Sequence, residues 1–480
     1  MPAQSSNVEL KRKAIPVENQ GLPSAKRARK IVDSGEDSIP DDPNESNPPE
    51  WPTSPTALNT ARSFLKRCAS ESGTKTLIIP DKDADGLCGG SIIYRTLLLL
   101  GHPPELLKVH VLAKGSNVHE VSERQAIAMY ETKFIVVVDQ GSRGQPVLLD
   151  GDDDTEVLII DHHLSDEFPP RATVLSACHH EPVATSALLS YILCSPLHEA
   201  ITSSCDWLAC MGTIGDLGTS FKWERPFPDM KECFKKYTKK AMSEAVSLIN
   251  APRRTAKYDV ISAWTALDAA SCPQDVLSSK SPHVQRLLDA RHQVNLEVER
   301  CSHSAPQFSS DGKVTLLRIT SKAQVHPVVA TRWAGSLKSK ALEVVMVAND
   351  GYLPGKVNFS CRVARCAHAR PTPTPNIIDL LRFYAERPLP FALASSPSTL
   401  ETSNLKEPSR KTLRERLGDN FARGHKQASG GIVDTQEFEE LCQAMEIGVK
   451  KDDAPRSSSK KKGMVQKNTL DRYFGGPSKA

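Results

Sequence analysis

Three short β-branched runs each end on an aspartate, and that coincidence constrains the fold more than any other feature. The runs are Thr76–Pro80, Phe134–Val138 and Glu156–Ile160, and they deliver Asp81, Asp139 and Asp161. Each is nearly continuously apolar, as expected for strands covered on both faces. Val109–Ala113 has the same character, and helix-like stretches at Leu87–Leu100 and Val118–Tyr130 separate several of the runs. This alternation predicts an α/β fold with a doubly wound, mainly parallel sheet. Ligands of such sheets bind beyond the carboxyl ends of the strands, so the three aspartates mark one candidate site.

The first domain is expected over 51–225, with two further helices over 183–215. Residues 226–311 are charged and mostly helical and read as a connector. A second, smaller α/β domain is expected over 312–446. Its strands are Val314–Ile319, Leu342–Val347 and Lys356–Ala364, its helix is Asn376–Ala385, and 387–409 is a Pro- and Ser-rich insert. Residues 1–50 and 447–480 are polar and poor in large apolar side chains, as in disordered tails.

The net charge of +4 is too small to argue for a polyanionic partner, but the basic residues cluster at the two ends. Twelve cysteines include no CxxC pair. The closest pairings, Cys205 with Cys210 and Cys361 with Cys366, are spaced loosely for zinc, and the scatter fits reduced thiols in an intracellular protein. No apolar run reaches a membrane span's length and no apolar leader opens the chain, so a soluble protein with no membrane partner is expected. Lys11-Arg12-Lys13 and Lys26-Arg27-Ala28-Arg29-Lys30 form two basic clusters like a bipartite nuclear localisation signal. They predict a nuclear import receptor as partner for 11–30 and a nuclear protein.

The chemistry begins at Asp81-Lys82-Asp83-Ala84-Asp85-Gly86. Residues two apart share a side of an extended chain, so Asp81 and Asp83 converge, with Asp85 close by. Carboxylates packed this tightly repel, and a divalent cation relieves the repulsion. An EF-hand is excluded, because no glutamate closes the loop. Asp161-His162-His163 adds imidazoles to the carboxylates, a mixed set that suits Mn²⁺ and accepts Mg²⁺. Gly212-Thr213-Ile214-Gly215-Asp216 follows on a later helix, where Asp216 completes the cluster.

These four segments, with Asp139-Gln140-Gly141 as the second, resemble the four motifs of the DHH phosphoesterase superfamily, and the Asp-x-Asp-Ala-Asp-Gly form is closest to the RecJ branch. The resemblance implies two Mn²⁺ or Mg²⁺ ions on Asp81, Asp83, Asp139, His162, His163 and Asp216, with Asp139 shared between them. It also implies catalytic or supporting roles for Asp85, Asp161, His162 and His163, with His163 contacting the phosphate. Several members of the superfamily carry a histidine where this chain has Leu77.

In the second domain, Arg423-Gly424-His425-Lys426-Gln427-Ala428-Ser429-Gly430-Gly431 resembles the Gly-Gly-His signature of the associated DHHA1 substrate-binding domain, with Arg423 in place of the first glycine. The segments around Arg332 and around Ser360 and Arg362 resemble its arginine elements. Arg332, Ser360, Arg362, Gly424, His425, Ser429 and Gly430 are therefore expected to hold a phosphate backbone. Near the end of the chain, Leu470, Tyr473 and Phe474 resemble the box that binds the replication sliding clamp, with Lys467 in place of its glutamine. The expected activity is that of a nuclear, RecJ-like exonuclease of replication or repair, specific for single strands; DNA is the expected partner ahead of RNA, a preference the sequence itself does not decide. Two alternatives stand beside it: a phosphoesterase of short oligonucleotides, cyclic dinucleotides, polyphosphate or bisphosphonucleotides, and a non-catalytic replication scaffold.

Overall fold

The first sheet is organised around β1 (Thr76–Pro80), a strand in which all five residues are buried. A computed structural model describes residues 50–149, 154–278, 280–388, 412–418 and 420–449; the basic clusters, the clamp-like box and most of the 387–409 insert lie outside them. In chain order the elements are α1 (Pro55–Ser70), β1, α2 (Ala84–Leu99), β2 (Leu107–Val109), α3 (Val121–Ala128), β3 (Phe134–Val138), β4 (Glu156–Asp161), β5 (Thr173–Ser176), α4 (Ser186–Cys194), α5 (Ala200–Ser204) and α6 (Asp206–Leu217). The strands lie in the order β2-β1-β3-β4-β5 and every pairing is parallel.

Strand parity divides the core. Ile78, Val136, Leu158 and Ile160 face α1, α2, α4 and α6. Leu77, Ile79, Ile135, Val137 and Ile159 face the opposite side, with Ile127 of α3. Burying each such side chain contributes about 1.5–3 kcal/mol, which explains strands with no polar alternation. Leu77, at the position where the resemblance implies a histidine in several members, is fully buried in this second cluster.

The expected strand at Val109–Ala113 is displaced, because pairing with β1 ends at Val109. Strand β5 has no counterpart among the expected strands; only Leu175 of its four residues is buried, too little for a pattern. The segment 183–215 holds three helices rather than two, since the chain breaks at Cys205 between α5 and α6.

Next come α7 (Lys231–Lys236), α8 (Lys239–Ile249), α9 (Val260–Asp268), α10 (Pro273–Leu277) and α11 (Pro282–Cys301). The expected connector is largely an extension of the first domain, because apolar residues from Phe227 to Leu287 join that domain's core. Val284 and Leu287 of α11 pack there, while its Val294, Val298 and Cys301 pack in the second core. One helix of 20 residues, about 30 Å long, thus belongs to both cores.

The second domain contains β6 (Gln307–Phe308), β7 (Val314–Ile319), α12 (His326–Ser336), β8 (Val344–Leu353), β9 (Lys356–Val363), α13 (Arg365–His368), α14 (Ile377–Ala385), α15 (Leu413–Arg416), β10 (Arg423–His425), β11 (Ala428–Asp434) and α16 (Thr435–Ala444). Its sheet runs β10-β11-β9-β8-β7-β6, with β7 and β8 parallel and the other pairs antiparallel. The described residues all belong to one compact unit. Arg143 donates to Asn420 Oδ1 at 3.0 Å across the gap between the two sheets.

Candidate metal centre and inter-domain cleft

The order β2-β1-β3 reverses chain direction between β1 and β3, and a doubly wound sheet opens a crevice at such a reversal. Asp81 and Asp139 leave β1 and β3 at that point, and the Asp81 amide extends the ladder by donating to the Val138 carbonyl at 2.9 Å. Asp83 caps α2, its carboxylate accepting from the Asp85 and Gly86 amides at 3.2 and 3.3 Å. Asp139 has a φ of 65°, a left-handed conformation that is uncommon outside glycine and clusters at functional sites.

Among the described residues, donor atoms converge in four overlapping groups, each within 4.8 Å: Asp81, Asp83 and Asp139; Asp139, Asp161 and His163; Asp85, His162 and Asp216; His162, His163 and His425. All six expected metal ligands fall in this constellation. They fit a divalent pair both in chemistry and in electrostatics. Burial first, then the fields of Asp85 and other carboxylates, holds the Asp139 carboxyl well above the ordinary range. A cation is what such a crowded, buried carboxylate lacks.

The cluster has two layers. Asp81, Asp83, Asp139, Asp161 and His163 line the cleft between the domains, whereas Asp85, His162 and Asp216 do not. Asp85 is fully buried; it accepts from the Ser186 and Ala187 amides at 2.7 and 3.1 Å, anchoring the start of α4. Its other neighbour is His162 Nδ1 at 3.4 Å, and His162 Nε2 lies 3.1 Å from Asp216. Asp85 thus acts on the centre through His162, as a positioning group.

Asp161 also positions. Its Oδ1 accepts from the His162 amide at 2.8 Å, the His163 amide at 3.2 Å and His163 Nδ1 at 2.8 Å. Its Oδ2 accepts from the Ser142 amide at 3.3 Å. Burial opposes its charge, but His163 and the other donors more than offset this and hold the carboxyl well below the usual range. With Nδ1–H given to Asp161, the His163 Nε2 is left for the cleft.

Gly212 lets α6 approach: an added Cβ would lie 2.3 Å from the Ala187 Cβ and 2.7 Å from Asp85 Oδ1. Gly212→Ala is expected to destabilise the fold by about 1–3 kcal/mol through overpacking, read as a lowered denaturant midpoint.

The cleft, of about 450 Å³, takes Ser360, Arg362, Gly424, Ser429 and Gly430 from the second domain as expected. His425 instead stacks on the His pair, its ring 5.4 Å from His162 and 5.7 Å from His163. Arg332 is a correction. It does not line the cleft and pairs with Glu299 at 3.0 Å and with Ser302 Oγ at 3.2 Å. His326, six residues earlier on α12, does line it. Six residues turn an α-helix by about 240°, so both cannot face one cleft.

Several cleft residues carried no motif. Arg253 lies 3.6 Å from Asp83, and its Nε donates to Asn250 Oδ1 at 3.0 Å. That same oxygen accepts from the Ala84 amide at 3.2 Å, so the end of α8 holds the first acidic segment in place. Arg362 is half-buried with no carboxylate partner among the described residues, and desolvation depresses its pKa. Such a guanidinium is poised for an anion. His119 and His326 are held down to about 4 and about 3, by burial first, so both rings are neutral near pH 7.

Among the described residues, twelve buried side-chain polar atoms lack a hydrogen-bond partner. Six of them belong to cleft residues: His119 Nδ1, Ser142 Oγ, Gln324 Oε1, His326 Nδ1, Asn358 Oδ1 and Ser429 Oγ. An unmet buried polar group costs about 1–3 kcal/mol, so half of this cost is concentrated where a polar ligand would relieve it.

Comparison with known proteins agrees with this geometry. Residues 75–213 match the DHH family, N-terminal domain. The chain is 28% identical over 177 residues to the single-stranded-DNA-specific exonuclease RecJ of Thermus thermophilus, covering 35% of this chain and 26% of that relative. It thus spans about a quarter of the curated relative's length. A crystal structure of exonuclease RecJ bound to manganese superposes with a TM-score of 0.53 at 18% identity, over 83% of this chain and 95% of that one. RecJ of Thermus thermophilus in complex with Mn²⁺ gives 0.53 at 18% identity, over 81% and 54%. The DHH domain of a member of a ribosomal protein family gives 0.55 at 12% identity, over 81% and 89%. The segment 75–213 belongs to the DHH family, and the described residues have a RecJ-like fold.

Proposed function

We propose that this protein is a divalent-metal-dependent phosphodiesterase that shortens single-stranded nucleic acid from an end, with DNA as its substrate. One observation carries the reading: the carboxylate and imidazole groups face a gap whose other wall offers arginines and unmet polar atoms. Mn²⁺ or Mg²⁺ held by Asp81, Asp83, Asp139, His162, His163 and Asp216 would withdraw charge from a phosphodiester and acidify water. Arg362 would hold a phosphate, and Arg253 would steady Asp83 while facing the same anion. Asp161 takes the Nδ1–H of His163 and so keeps one tautomer, which leaves the Nε2 lone pair for a metal ion. The neutral His119, Gln324, His326 and Asn358 would take the sugar and base of the terminal nucleotide. A gap spanned by Arg143 and Asn420 would exclude a duplex and admit one strand.

The test is hydrolysis of labelled single-stranded DNA, duplex DNA, single-stranded RNA and dinucleotides with Mn²⁺, beside His162→Ala. Single-stranded DNA is expected to be shortened and duplex to resist. Cleavage of none would remove the enzyme reading; cleavage of dinucleotides alone would favour the small-substrate reading. A nuclear location through 11–30 and a clamp contact through Leu470, Tyr473 and Phe474 remain proposals resting on the sequence. Imaging of the tagged protein with and without the basic clusters tests the first, and clamp binding by a Phe474→Ala variant tests the second.

A further inference from the structure

A second pocket, of about 550 Å³, adjoins the cleft and shares His163, Arg423 and Gly424 with it. Gly424 has a φ of 102°, which turns β10 between the two spaces. The second pocket contributes no metal ligand beyond His163, and its own cations match none of the motifs that build the centre. Arg382 of α14, Arg414 of α15 and Lys426 line it, and none of the three has a carboxylate partner among the described residues. Arg414 packs its guanidinium 5.8 Å from the Phe421 ring centroid. The two carboxylates present are engaged locally: Asp379 accepts from Asn376 Nδ2 at 2.6 Å, and Glu415 accepts from the Thr412 amide at 2.7 Å. Leu164, directly after the His pair, is 54% exposed and lines the same pocket.

Most surface cations are solvated and idle. Here, however, three unpaired ones converge beside an exposed aliphatic side chain, in a space that meets the catalytic cleft at His163. Two of the cleft's own cations are already engaged, Lys82 with Asp81 at 2.9 Å and Arg253 with Asp83 at 3.6 Å. An occupant with regularly spaced negative charges and apolar faces suits the second pocket, and a polynucleotide strand has both.

We propose that this pocket is a second subsite, in which Arg382, Arg414 and Lys426 bind backbone phosphates on the far side of the scissile bond from the cleft. The proposal rests on the phosphodiesterase reading and makes it specific: the protein prefers chains long enough to fill both spaces. Leu164 would pack against a base, as an apolar contact indifferent to sequence.

The test compares Arg382→Ala/Arg414→Ala with wild type on a 20-nucleotide single strand and on a dinucleotide. The kcat/KM on the long strand is expected to fall at least roughly tenfold, which corresponds to about 1.4 kcal/mol for the two lost contacts together. Dinucleotide cleavage is expected to stay within about twofold. The logarithmic salt slope for binding fluorescent (dT)20 is expected to shrink by about 1.4 for two lost phosphate contacts. Arg382→Lys/Arg414→Lys is expected to retain most of the long-strand activity, and melting temperature controls for folding. An equal loss on both substrates, or none on the long strand, overturns the subsite. If wild type hydrolyses neither substrate but binds (dT)20 with this slope difference, the phosphodiesterase reading fails and the binding groove stands. If wild type hydrolyses both and the variant binds (dT)20 as wild type does, the subsite alone fails.

Discussion

Asp139→Asn is expected to abolish hydrolysis and to make the metal-free protein more stable. The carboxylate is 3% exposed, and among the charges that act on it are Asp83, Asp85 and Asp216. Without a cation its charge is opposed both by burial and by its neighbours. Asparagine keeps the shape, tolerates the left-handed backbone at φ 65°, and can still accept from Ser186 Oγ, which lies 2.9 Å from Oδ1. What it removes is the charge. Loss of a carboxylate that would hold the metal would cost several kcal/mol of transition-state stabilisation, so turnover is expected to fall roughly a thousandfold or more. Removing the repulsion is expected to stabilise the metal-free fold by about 0.5–2 kcal/mol, the usual range for relieving a strained active site. Thermal melts with and without Mn²⁺ check both halves. Wild type is expected to gain about 2.7 kcal/mol at a metal concentration of about 100 times Kd, and the variant much less. A variant destabilised without metal, or one that gains as much from Mn²⁺, would contradict the assignment.

Asp161→Asn is expected to behave oppositely. This carboxylate accepts four N–H groups, from the His162, His163 and Ser142 amides and from the His163 ring. A carboxamide has one oxygen, and its NH2 group would face at least one of those donors. A buried donor left unmet costs about 1–3 kcal/mol, and losing a charged acceptor adds to that. The expected loss of stability is about 2–4 kcal/mol, with activity lowered at least about a hundredfold because His163 is no longer held in one tautomer. Denaturant midpoints and steady-state rates check this. The two exchanges remove the same charge from positions near one another, yet they are expected to move stability in opposite directions. Asp139 is a carboxylate among carboxylates, whereas Asp161 is one among donors.

Strand ends are the legible part of this chain. Two-sided burial leaves a strand no polar residue until it reaches the sheet edge, so Asp81, Asp139 and Asp161 stand out against apolar runs. The contributions of α8 and its sequel are illegible. Asn250 and Arg253 are isolated polar residues at a helix end, and only the fold brings them beside Ala84 and Asp83. Strands β10 and β11 look like a glycine-rich turn in the sequence because their alternation is short and interrupted by glycine. Arg332 is misplaced by the sequence because likeness to a motif carries no information about helix phase. His119 has no signal at all, since a loop histidine gains its meaning from the Gly141 carbonyl 3.1 Å away and from a cleft the sequence does not display.

Because α11 is embedded in both hydrophobic cores, the two walls of the cleft are mounted on one stiff rod. Widening the gap by rotation would require bending that rod or pulling Val284 and Leu287, or Val294 and Val298, out of packed surroundings. The slot therefore behaves as a fixed gauge, more a calliper locked at one setting than a jaw. On the proposed reading, a strand would be accepted or refused on its thickness, before any chemistry begins.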